Sequence, residues 1–170
     1  AMSQDTSASS VRVALKDDAD VSCDITVNVT KVTSWADKNA ILDANTGWKV
    51  SGSYDAGVGE GADLNRGGSY LYRTIDLNDL KAITVNARVF VRGGETDPVM
   101  YVSVVVDGVE TRIRANGADA DTVTLDTTDK KYETPQAYVY DLSAYAGKTV
   151  EIRIGIDQGT HCVITSIALS

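Results

Sequence analysis

From Val11 onward, apolar residues fall on every second position in one short run after another, and the runs are separated by Asp, Gly or Asn. A side chain returning to one face every second residue is the period of a half-buried β-strand, whereas an amphipathic helix needs spacings of three and four. Val11, Val13 and Leu15 open the pattern before the acidic turn Asp17-Asp18-Ala19-Asp20. Val21, Cys23, Ile25, Val27 and Val29 then keep a single phase. Residues 34–45 interrupt it: Ser34 can cap a short helix there and Asn45-Thr46-Gly47 can end it. Strands are predicted to resume at 47–53, 69–77, 81–92, 98–106, 109–115, 121–126, 132–141, 148–156 and 161–169. Asp141 with residues 142–147 supplies one capped helical turn between two of them. The expected fold is all-β, an antiparallel two-sheet sandwich of jelly-roll type with about ten strands and at most one or two short helical turns.

One hairpin can be read in register. Asp107-Gly108 lies between two alternating runs, the signature of a two-residue type I′ turn. That turn sets Val106 opposite Val109, Ser103 opposite Arg112 and Tyr101 opposite Arg114. Met100, Val102, Val104, Val106, Val109 and Ile113 are then expected to face the core, with Tyr101, Ser103, Glu110, Arg112 and Arg114 on the other face. The preceding strand directs Ile83, Val85, Ala87 and Val89 inward and Asn86 and Arg88 outward. If it pairs with 98–106, Arg88 lands beside Tyr101, and Asn86, Arg88, Tyr101, Ser103, Arg112 and Arg114 form one platform. Consecutive strands of a sandwich often enter different sheets, so the third strand of this platform is conditional.

Composition narrows the function. Val, Ile and Thr make up 48 of 170 residues, and 19 of the 24 acids are Asp, which favours turns over helices. A helical bundle or coiled coil is excluded. The net charge of −8 disfavours a general nucleic-acid binder, because phosphate neutralisation needs a basic excess. No run of 18 apolar residues occurs, so no membrane insertion is expected. His161 is the one histidine, too few for a His-rich metal centre. Cys23 and Cys162 lack C-x-x-C spacing; a disulfide between them and two separate buried thiols are both open. Cys162 is out of phase with Val163, Ile167 and Leu169 unless a bulge intervenes. No signal peptide is visible at the N-terminus. Residues 1–10 read as a cloning scar followed by a polar linker, and 11–170 as one sandwich domain cut from a larger multimodular protein.

The segment Tyr138-Val-Tyr140-Asp-Leu-Ser-Ala-Tyr-Ala-Gly147-Lys-Thr-Val150-Glu-Ile-Arg-Ile resembles the closing strands of jelly-roll carbohydrate-binding modules, which read strand, DLS-x-YAG, strand. Thr46-Gly47-Trp48, a glycine-rich stretch and Ser69-Tyr-Leu-Tyr72 are similar to their early strands. The resemblance implies a non-catalytic glycan-binding module of a secreted or cell-surface bacterial protein. Where many relatives carry adjacent acids beside a structural calcium in the final strand, this chain has Thr165-Ser166. DLS-x-YAG also occurs in galactose-binding-like domains of adhesins, and a structural or adhesive sandwich is the alternative.

Several residues carry candidate chemistry. The platform is the preferred site: Tyr101 offers a stacking ring, and Asn86, Arg88, Arg112 and Arg114 offer planar donors for sugar hydroxyls. Its arginines would also suit a uronate or sialate carboxylate, unless they pair with Glu110 and Glu151 on an ordinary solvated face. The loop 52–68 is the longest irregular stretch and reads as a solvated connection, a binding rim with Tyr54, or a structural calcium site through Asp55, Glu60 and Asp63. Tyr70 and Tyr72 share a face and are read first as cover for a sheet or loop, second as sugar-stacking rings. Trp48 is expected in the core, and Trp35, in a polar stretch, on a ligand. The chain has no E-x-D-x-x-E, G-x-S-x-G, R-x-E or Q-x-H motif, so no enzyme activity is expected. The expected partner of this monomeric module is a polysaccharide or glycan, bound without an obligate cofactor.

Overall fold

The computed structural model of the chain describes residues 6–15, 18–30, 41–42, 46–55, 61–90 and 95–170. The chain divides into two compact units, Ala1–Asp37 and Lys38–Ser170. In the first, β1 (Thr6–Leu15) and β2 (Asp18–Thr30) form an antiparallel hairpin that sets Val11 opposite Ile25 and Val13 opposite Cys23. These two strands pair with each other, and pairing already begins at Thr6, inside the stretch read as a linker. Backbone pairing needs no apolar side chain, so a serine-rich run can enter a ladder. The helix expected over 34–45, with Trp35, falls outside the described residues except for 41–42.

The second unit is the predicted sandwich. Its strands are β3 (Lys49–Ser51), β4 (Tyr54–Asp55), β5 (Ala62–Leu64), β6 (Tyr70–Asp76), β7 (Ala82–Val89), β8 (Val99–Val106), β9 (Val109–Ile113), β10 (Thr122–Thr124), β11 (Gln136–Asp141), β12 (Thr149–Ile156) and β13 (Cys162–Leu169). One sheet has the order β10-β8-β12-β6-β3 with β9 also on β8; the other runs β11-β7-β13-β5-β4. Every pairing is antiparallel. From β5 to β8 each successive strand enters the opposite sheet, as do β11, β12 and β13.

The loop 52–68 was expected to be irregular, but it contains β4 and β5, and Ala62, Asp63 and Leu64 are all fully buried. The strand predicted from 132 begins at Gln136, because a 3₁₀ turn occupies Lys130–Glu133 with Asp129 accepting from the Lys131 N–H at its start. Asp141 accepts from the Ser143 N–H at 2.8 Å and starts the expected helical turn, Ser143–Tyr145.

The core forms where the inward phases of the two sheets meet. Leu71, Met100, Val102, Val104, Ile152 and Ile154 come from one sheet, and Leu64, Ile83, Val85, Tyr140 and Ile164 from the other. Trp48 is buried among them, as predicted. The chain slips register between Ile164 and Ser166, and this bulge reconciles the phase of Cys162 with that of Ile167 and Leu169. Cys162 is a free, fully buried thiol.

Candidate functional site

The Asp107-Gly108 turn has φ of 51° and 80°, both in the left-handed region that a type I′ turn requires. It produces the predicted register, with Val106 opposite Val109, Ser103 opposite Arg112 and Val102 opposite Ile113. The face assignment holds for Met100, Val102 and Val104, which are buried in the core. It weakens at the tip and along β9: Val106 and Ile113 are half-buried and Val109, beside the turn, is 67% exposed.

The platform divides. β7 pairs with β11 and β13 rather than with β8, so Asn86 and Arg88 lie on the five-stranded sheet, away from Tyr101. The alternation of β7 buries one face in either sheet, and its pattern does not distinguish the two. Asn86 donates to Ser166 Oγ at 2.8 Å, and the Arg88 guanidinium lies 5.8 Å from the Phe90 ring centre.

On the six-stranded sheet, the outward phase makes two rows that cross the strands. One runs Ser51, Tyr70, Gly155, Tyr101, Thr122, and the other Lys49, Tyr72, Arg153, Ser103, Arg112. Tyr101 faces outward as predicted, yet it is only 7% exposed. A Cβ on Gly155 would lie 2.6 Å from its ring, and the Arg112 guanidinium sits 4.3 Å from the ring centre. The ring is covered on both sides and is not an open stacking surface. Burial, then the Glu110 carboxylate, push its phenol pKa up.

The two arginines of this face are already paired. Arg112 donates to both carboxylate oxygens of Asp157 at 2.6 Å. Arg153 donates from Nε to Glu151 at 2.8 Å and from Nη1 to Glu110 at 2.7 Å. Glu110 also accepts from Ser103 Oγ at 2.6 Å. The bond to Asp157 raises the Arg112 pKa, and the bond to Glu151 does the same for Arg153. Arg114 is exposed beyond the end of β9 and takes no part in these bonds.

Beside this network, Tyr70 and Tyr72 are half-buried, with ring centres 5.9 Å apart and planes inclined at 56°. The Arg153 guanidinium lies 5.0 Å from the Tyr70 ring centre. Of their first reading, as cover for a sheet or loop, the sheet part is corrected: they stand on the outer face in the same rows as Tyr101 and Arg112. Sequence reasoning passed over Arg153, Lys49 and Asp157 altogether. The signal was present in 149–156, where an outward-phase glycine follows Glu151 and Arg153, because a strand glycine marks close approach by a neighbour.

The remaining candidates lie elsewhere. Tyr54 is 44% exposed on the edge strand β4. Trp35 and Glu60 fall outside the described residues. Asp55 and Asp63 oppose each other across β4 and β5, but Asp63 is fully buried and its Oδ2 lies 2.8 Å from His161 Nδ1. Among the described residues, no three His, Cys, Asp or Glu side chains are grouped to hold a metal ion. His161 has a left-handed φ of 57°, and its Nε2 lies 3.5 Å from Glu95 Oε1. A carboxylate can only accept, so the bond to Asp63 places a proton on Nδ1.

No protein-family model matches the chain, and a search of curated proteins finds no significant match. Fold and geometry therefore define the class: an all-β, antiparallel two-sheet sandwich, one face of which carries a tyrosine pair set among arginine–carboxylate bonds. Among the described residues no helix is long and apolar enough to cross a membrane.

Proposed function

We propose that the chain is a non-catalytic carbohydrate-binding module and that the outer face of the six-stranded sheet is its glycan site. The observation that carries the reading is the half-exposed Tyr70–Tyr72 pair on an otherwise polar, hydrogen-bonded face. The C–H face of a pyranose packs on a π surface, while its hydroxyls need fixed polar partners. Arg153 is held by Glu151 and Glu110, and Arg112 by Asp157, beside that pair, so little ordering entropy is lost when a sugar docks. Tethered to a larger secreted or surface protein, such a module raises the local concentration of its parent at a polysaccharide. An adhesive module would call for an apolar docking patch. The large exposed hydrophobics among the described residues, Tyr54, Val109 and Val139, stand on three separate strands.

The test is a glycan array followed by titration of the selected glycan. Tyr70→Ala and Tyr72→Ala are each expected to weaken binding by about 1.4 kcal/mol, or tenfold, with melting temperatures close to that of the unaltered protein. Normal binding by both variants removes the site from this face.

A further inference from the structure

We infer that the ligand of this face is an uncharged saccharide and that uronate or other anionic glycans are rejected; the inference rests on the glycan-binding reading above. Arginines on a sheet face suggest recognition of a carboxylate, one of the readings open to Arg112 from the sequence. Its two terminal nitrogens are instead both occupied by Asp157. Arg153 is shared between Glu110 and Glu151. Two guanidinium groups thus meet three carboxylates, and the network carries a net negative charge. An incoming carboxylate would have to displace a resident one from either arginine while approaching the others at close range. Among the described residues, Lys49 is exposed on β3 at one edge of this sheet and Arg114 is exposed beyond the end of β9 at the other, where single solvated charges are screened by salt. The whole chain, at −8, adds long-range repulsion of a polyanion.

A neutral sugar meets the opposite situation. Its hydroxyls are donors as well as acceptors, and carboxylates engaged by arginine keep lone pairs open to accept from them. Glu110 already does this once within the protein, accepting from Ser103 while it pairs with Arg153. The ion pairs therefore work as fixed, charge-compensated acceptors beside the tyrosines.

The experiment is affinity gel electrophoresis of the full chain through gels containing hydroxyethyl cellulose, arabinoxylan, galactomannan, polygalacturonate or alginate. Retardation is expected from at least one neutral polymer, changing less than about twofold between 0.05 and 0.5 M NaCl, and from neither uronate polymer. In the double variant Glu110→Gln, Glu151→Gln, Arg153 is released, and polygalacturonate should now retard the protein in a salt-sensitive manner. Circular dichroism of the variant checks its fold. Retardation of the unaltered protein by polygalacturonate or alginate overturns the inference and leaves the glycan-binding reading standing. Retardation by none of the five overturns that reading itself.

Discussion

Tyr101 lies between the Gly155 backbone and the Arg112 guanidinium, so the ring holds the outer face together. Tyr101→Ala should therefore cost roughly 3 kcal/mol in denaturant unfolding, close to the loss of a core aromatic. The face pattern alone would have it nearly neutral. Gly155→Ala forces the ring aside and should cost about 1–3 kcal/mol in the same measurement. His161 offers a second residue-scale test. Its left-handed backbone is unfavourable for any residue with a Cβ, and the bond to buried Asp63 opposes that cost. His161→Ala loses the bond and keeps the strain, for an expected loss of about 1.5–3 kcal/mol. His161→Gly loses the same bond but relaxes φ, and should be the more stable of the two by about 1 kcal/mol. Equal stabilities would show that the backbone there is not strained.

At the scale of elements, the β8–β9 hairpin was legible almost to the residue because its turn chemistry and its alternation agree. Gly108→Ala places a Cβ at φ 80° and should destabilise by about 1–2 kcal/mol. Val109→Ser, at the exposed tip, should fall within about 0.5 kcal/mol of the parent. Val104→Ala, buried in the core on the same strand face, should cost roughly 2 kcal/mol. Chevron or equilibrium urea measurements on the three variants separate turn, tip and core. What alternation cannot encode is the sheet a strand joins. β7 buries the same residues beside β8 or beside β13, and the choice decides whether Asn86 and Arg88 belong to the site. The faces of β8 and β9 could be read, but the rows that join β6, β12 and β8 across the sheet arise only from pairing. Tyr70 and Arg153 meet diagonally between two neighbouring rows, and Ser103 and Glu110 meet diagonally across the hairpin. Local sequence also hid β4 and β5, two and three residues long, within glycine-rich chain.

For the molecule as a whole, buried ionisable groups set the alkaline limit. Burial pushes the Cys162 thiol from 9.0 up to about 12 and the Tyr138 phenol from 10.0 up to about 12, and raises Tyr140 as well. Each group ionises earlier in the unfolded chain than in the folded one. Their contribution is therefore complete below pH 9 and is lost as pH rises toward 12. Urea midpoints should fall progressively above pH 9, and Cys162→Ala should move the onset toward pH 10. A midpoint unchanged up to pH 11 contradicts this. The same thiol has a kinetic use. Cys162 sits opposite Val89 on β13, between β5 and β7 within its sheet. A thiol reagent reaches it only when those strands part, and with Cys23→Ser it is the single reactive group in the chain. Its labelling rate at neutral pH, followed against reagent concentration, then separates the frequency of opening from its equilibrium population. Cys162 thus times the breathing of the sandwich from inside it, with no probe added to the protein.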